Sequence, residues 1–296
     1  MVGPTICLPI PKLLHMSIQE RQNQSISLAR LASQRYLYSC AKKTRTIGMV
    51  LILLVAILGV VSSTVERPAI NQWVPLFVIV AWIVDQLIFK RIESALINEA
   101  ATIQEEFDCF VLDLSWPKHK GIQRITSDRL KQLDLKAKSK SRDYNELFDW
   151  YTPESIPLDP ISAKMHCQKI NCWWDVRLRG TWRFVLYAFF GILFLLALIL
   201  SISTGITVDK LIAIAASFIR VFAWGVAEVV NLEEASRNID RIHRYLSSLA
   251  IQENVLPSDI RSVQDEIFEH RRSNSPVPDW FYKLRRNAQE REAAET

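Results

Sequence analysis

Glycine is scarce. The chain of 296 residues contains 8 glycines, roughly 3% against an average usage of about 7%. With so few turn-permissive positions, and with Leu, Ile, Ala, Glu, Gln and Arg in the long runs, the chain reads as mostly helical. Several chemistries are absent with it. There is no G-x-x-x-x-G-K-[ST] phosphate loop, no G-x-G-x-x-G dinucleotide turn and no G-x-S-x-G nucleophile elbow, and H-E-x-x-H is missing too. Carboxylate pairs are plentiful, but any charged helix surface supplies them. Neither an enzyme nor a cofactor is expected. The net charge of +5 is modest. It fits basic membrane flanks better than a dedicated nucleic-acid binder.

What the chain does have is apolar length. Hydrophobic residues make up 49% of it, and the mean hydropathy is +0.09. Four runs, at 47–65, 73–89, 182–202 and 208–230, reach the 17–25 residues a helix needs to cross hydrocarbon. They fall in pairs joined by connections too short to hold a domain. The expected fold is therefore an all-α membrane protein with four transmembrane helices arranged as two hairpins.

Lys and Arg set the orientation. Arg35, Lys42, Lys43 and Arg45 precede the first run, and Lys90 and Arg91 follow the second. Lys169, Arg177 and Arg179 precede the third, and Arg237, Arg241 and Arg244 follow the fourth. The hairpin loops offer Arg67 and the border residue Lys210. Both termini and the central segment are expected in the cytoplasm, in a multi-pass protein. The organisation reads as an N-terminal cytoplasmic segment and helix at 1–46 and a first hairpin at 47–89. A central cytoplasmic domain at 90–181, a second hairpin at 182–230 and C-terminal cytoplasmic helices at 231–296 follow.

The opening "MVGPTICLPIPKLLHM" carries three prolines and no basic start, a poor fit to a signal peptide; translation from Met1 or from Met16 stays open. The five cysteines, Cys7, Cys40, Cys109, Cys167 and Cys172, all fall on the cytoplasmic side, where disulfides are not expected. His166, Cys167 and Cys172 match no usual zinc spacing, and no metal site is expected. In the cytoplasmic segments, Ile18, Ile26, Leu28, Leu31 and Leu37 suit an amphipathic helix entering the first span. Ile92, Leu96, Ile103, Phe107, Phe110 and Val111 predict a stalk continuing the second span until Pro117 and Gly121. Leu232, Ala235, Ile239, Ile242, Leu246 and Leu249 predict a helix after the fourth. A basic stretch at 129–142 and a proline-rich loop lie between.

Charges inside the spans pose the functional question. Asp85 interrupts the second run, and Arg220 and Glu228 sit in the fourth. A charge at bilayer depth costs about 2.5–3.5 kcal/mol on insertion scales and usually faces a bundle interior or a wet path. Ala213, Ala216, Ser217, Arg220, Ala223 and Ala227 recur at three- and four-residue steps, a spacing that permits close helix approach. Two readings stay open: a packing seam with Arg220 satisfied by a carboxylate, or an ion pathway lined by Arg220, Ser217, Asp85 and Glu228. Arg220 and Asp85 are offset by roughly 7 Å in depth at 1.5 Å per residue, so a shared wet cavity fits better than one ion pair.

Short motifs in order, "IQERQNQ", "YSCAKKTR", "IQEEFDCFVLDLSW", "NCWWDVR", "VQDEIFEHRR" and "VPDWFYK", together with the two-plus-two layout, resemble the SMODS-associating four-transmembrane effector family of bacterial anti-phage systems. The resemblance runs from Met16 onward. It implies a pore-forming effector in the bacterial inner membrane and a partner nucleotidyltransferase that acts through an oligonucleotide second messenger, cyclic or linear. A polyanionic signal calls for Lys or Arg beside aromatic faces. Trp116, Lys118, His119, Lys120 and Arg124, with Trp150 and Tyr151, form the best-mixed cluster; Arg271, Arg272, Trp280, Tyr282, Lys283 and Arg285 form a second. Conduction through four-span chains requires a homo-oligomer in the lipid bilayer, and a tetramer is the expectation. The alternative is a non-conducting membrane anchor or scaffold that recruits a soluble partner.

Overall fold

The computed structural model describes residues 16–65, 73–117, 121–140, 144–151, 158–204, 208–252, 254–282 and 284–285; for 62–65, 193, 197, 198, 200–204, 208–211 and 213–217 only the backbone is described. Every regular element among the described residues is helical. A short helix, α1 (Ile18–Gln22), is held by a capping box in which Ser17 and Glu20 satisfy each other's backbone N–H groups. Next, α2 (Ser25–Val65) runs unbroken from the amphipathic segment through the first apolar run. The expected apolar face holds, with Leu28, Leu31 and Leu37 buried, but Ile26 points outward.

The second run forms α3 (Val74–Val84), which passes through one π-helical turn, Asp85–Phe89, into α4 (Lys90–Val111). The expected stalk is present and ends at Val111, ahead of Pro117. Asp113 takes a left-handed backbone (φ 51°) and the Leu114 N–H closes on the Cys109 carbonyl at 2.9 Å, the usual way to cap the orphan carbonyls of a last turn. The basic stretch is also helical: α5 (Ser127–Lys140) buries Leu130, Leu133 and Ala137, a three- and four-residue spacing that marks one apolar face. The remaining helices are α6 (Pro160–Thr204), α7 (Val208–Leu249) and α8 (Pro257–Ser273). All six apolar positions expected on α7 after the fourth run, from Leu232 to Leu249, are buried.

Two kinds of surface divide the molecule. In one half, α2 packs on α4 and α5, α6 packs on α7, and α8 closes against α4, α6 and α7. Three apolar clusters fill this half. One joins Leu31, Phe107, Leu112 and Tyr151, a second Cys172, Ile242, Ile260 and Ile267, and a third Leu37, Ile103 and Leu133. Each large side chain so buried contributes about 1.5–3 kcal/mol. In the other half the large apolar side chains face outward, among them Leu54, Ile57, Phe77, Ile79, Phe184, Phe194, Ile219 and Val226. Exposed apolar surface on this scale needs a non-aqueous neighbour. Two helices among the described residues are long and apolar enough to cross a membrane, within 25–61 and 160–196. The second apolar run is divided by its π turn, and α7 lacks described side chains over most of 208–217.

Candidate functional site

One stripe of α7 faces the first pair of helices. Arg220, Trp224 and Glu228 recur every four residues and so share a face. The Arg220 guanidinium lies 4.9 Å above the Trp82 ring of α3, within cation–π range. Arg45 of α2 lies 5.9 Å from the Trp224 ring, pairs with Glu228 and stands 3.7 Å from Glu93 of α4. Ser275, in the segment after α8, donates its hydroxyl to Glu93 Oε1 at 3.0 Å. Three helices and the C-terminal segment therefore meet around one guanidinium, where the apolar surface gives way to the polar half.

Asp85 does not join this stripe. It is buried in the π turn, accepts from Gln86 Nε2 at 3.0 Å, and sits so close to α2 that a Cβ on Gly48 would lie 2.7 Å from Oδ1. Among the described residues Arg220 has no carboxylate partner, so the reading of it as one half of an ion pair does not match the geometry. The side chain of Ser217 lies outside the described residues. Ala223 and Ala227, the small residues of the stripe whose side chains are described, are exposed; α7 packs on α6 through Gly225 and Val229 instead. Below the stripe opens a cleft of about 630 Å³ lined by Arg179, Glu228, Asn231, Glu234, Arg237 and Asn274 among others.

Sequence reading missed Arg45, Glu93, Trp82 and Trp224 as members of this site. Arg45 had counted only as a flanking charge; its position in the last turn before an uncharged run was the available signal.

The expected nucleotide cluster divides. Trp116 and Arg124 come together, with the guanidinium 5.1 Å from the indole ring and Trp116 Nε1 donating to the Ile122 carbonyl at 3.0 Å. Lys118, His119 and Lys120 lie outside the described residues. Trp150 is half-buried against the first apolar cluster. Tyr151 is a correction: its ring stacks on Phe107 in the core, its hydroxyl donates to Asp108 Oδ1 at 2.7 Å, and its N–H donates to Gln22 at 2.7 Å. No face of Tyr151 is open to a base. Burial, with the nearby Asp108 carboxylate second, holds its hydroxyl protonated far above the usual tyrosine range.

Asp108 is the hub of a buried polar network. It also accepts from Arg271 Nη1 at 2.5 Å and Gln264 Nε2 at 2.9 Å. Glu105, one turn earlier, accepts from Arg261 at 2.6 Å and Gln264 at 2.9 Å. Burial raises the Glu105 carboxyl, and the Arg261 charge opposes that shift. The second expected basic cluster is dispersed by the same network. Arg271 points inward to Asp108, Arg272 donates to Asn98, and the Trp280 ring packs edge-on to Trp182. The preceding Asp279 accepts from Ser39 and Lys42 of α2. Among the described residues no group of three His, Cys, Asp or Glu is placed to hold a metal ion.

Comparison with known proteins bears on this arrangement. The SMODS-associating 4TM effector domain matches residues 16–296. The chain is similar to a protein of Bacillus cereus (strain VD146) described as a probable CBASS effector molecule, at 23% identity over 279 residues, covering 90% of this chain and 92% of the relative. No solved structure matches the chain.

Proposed function

Because the chain belongs to the SMODS-associating 4TM effector family, we propose that it is the membrane effector of a bacterial CBASS-type anti-phage system. In this reading the four apolar runs cross the inner membrane as two hairpins with both termini in the cytoplasm. Copies of the chain associate around a shared path, a tetramer being the working stoichiometry. An oligonucleotide made by a partner nucleotidyltransferase binds the cytoplasmic half at Trp116 and Arg124, with Lys118, His119 and Lys120 adjoining in sequence. Binding opens the path, and loss of the ion gradient stops phage replication.

The observation that carries the reading is the placement of Arg220. It lies near the middle of the fourth apolar run, on a helix that exposes Ile219 and Val226, with an aromatic ring as its described partner. A passive anchor has no use for a charge there, since it only raises the cost of insertion. The seam around Arg45 supplies a closed state, because parting α7 from α2 and α4 would release Glu228 and Glu93 into the path. The exposed Ala223 and Ala227 leave one side of α7 free to approach another copy.

Planar-bilayer recording of purified protein, with cyclic and linear oligonucleotides added on the cytoplasmic side, tests the reading. Conductance should appear with one ligand class, and Arg220→Leu should change its ion selectivity, because a ring of charge sets the barrier for permeant ions. Arg220→Lys should keep the wild-type selectivity. A protein that binds such a ligand and stays silent in the bilayer would leave the scaffold role in its place.

A further inference from the structure

We infer that Arg30, on α2, is a second phosphate contact of the same oligonucleotide site, so that the ligand touches the helix that forms the first span. The inference rests on the ligand reading above and extends it to a residue that the sequence did not single out.

Arg30 stands 3.4 Å from Glu106 of α4, with its guanidinium 5.6 Å from the Phe110 ring. Glu106 is already engaged, since its Oε1 accepts the Ile125 N–H at 2.5 Å. The carboxylate is also near enough to Arg124 to feel its charge. One carboxylate thus serves the Arg30 guanidinium and a backbone amide with a second guanidinium nearby, leaving the group with a surplus positive charge. The shortfall shows at one atom: Nη1 of Arg30 is buried without a hydrogen-bond acceptor among the described residues, and Nε has only the 3.4 Å approach to Glu106 Oε2. A buried donor left without an acceptor keeps its full desolvation cost. The site therefore lacks an acceptor, and the side chain keeps 15% of its surface open to receive one.

A phosphate oxygen meets that need. Arginine's fork suits phosphate, and the two guanidinium groups sit beside Phe110 and Trp116, aromatic faces of the kind on which bases stack. A phosphate drawn to Arg30 competes with Glu106 for it, with the Arg124 charge close by. Because α2 is unbroken from Ser25 to Val65, a pull on Arg30 acts on Arg45 about 22 Å further along the same helix. Arg45 is the residue that holds Glu228 and Glu93.

Inorganic tripolyphosphate is the probe, titrated calorimetrically into the full-length protein in mild detergent. Wild-type protein should bind it, and Arg30→Gln and Arg124→Gln should each weaken binding about tenfold. Arg30→Lys should fall between, having charge without the fork. Glu106→Gln should tighten binding, because it removes the competitor, and it decides the matter if Arg30→Gln fails to fold in a thermal melt. Loss of affinity in Arg124→Gln with none in Arg30→Gln would overturn the inference while leaving the ligand site standing. A wild type that binds no tripolyphosphate, or a Glu106→Gln protein with unchanged affinity, would also overturn it. Oligonucleotide-evoked conductance judges the wider reading separately.

Discussion

Arg45 shows how one side chain can hold several elements together. Its guanidinium serves Glu228 on α7 and Glu93 on α4, and all three groups are largely shielded from water, with exposures of 19%, 13% and 12%. Removing one partner of such a group costs far more than the group is worth as a whole, because charges stay behind unpaired. Arg45→Gln should lower stability by roughly 3 kcal/mol, read as a fall in melting temperature in detergent. Glu228→Gln in the same chain should recover part of the loss. Equal and additive losses from the two single changes would show that the seam is not a coupled unit.

At the level of elements, the contact between α6 and α7 depends on the absence of a side chain. A Cβ placed on Gly225 would overlap the Phe190 ring, and the same stretch buries Leu186, Val229 and Leu232 with Trp182 packed against them. Close approach through a small residue is how helices associate where lipid removes the hydrophobic drive between them. Gly225→Val should therefore destabilise the hairpin by about 1–3 kcal/mol through overpacking, and Phe190→Ala should relieve much of it in the double variant. A Gly225→Val protein with wild-type melting and assembly would show that the ring simply turns aside. The π turn at Asp85–Phe89 is the other element-scale feature. One wide turn shifts the phase between α3 and α4, so the helix can bury Asp85 against Gly48 and still present Ile97, Ile103 and Phe107 to the core below.

The whole molecule is a packed polar half joined to an apolar half that faces outward, and its thiols report on that division. Cys109, Cys167 and Cys172 are buried in the polar half, while Cys40 is partly open. Burial, reinforced by the Glu105 charge, pushes the Cys109 thiol well above its ordinary range, so little thiolate exists to react at neutral pH. A permeant maleimide should label Cys40 in the native protein and reach the other three only after denaturation. An impermeant reagent applied to intact cells should leave all four unmodified. Labelling of Cys40 from outside would overturn the proposed cytoplasmic placement of the polar half.

Much of this architecture follows from local pattern. The four apolar runs were legible from their length, and the helix face from Leu232 to Leu249 and the stalk through Phe107 because burial recurs with the helical period, both properties of neighbouring residues alone. The presence of charge at Arg220 and Asp85 was equally legible. What the tertiary structure decided is which partner each polar group meets. Tyr151 read as an aromatic beside a basic loop and lies instead in the core, because Asp108, Asn171 and Gln22 from three distant segments satisfy it. Arg45 read as a membrane-flanking charge, Arg271 as part of a basic cluster, and Arg30 carried no reading at all. Their partners Glu228, Glu106 and Asp108 are brought to them by helices far apart in the chain. Periodicity sets which face of a helix is buried; packing of distant helices sets whether a charge there finds an acceptor.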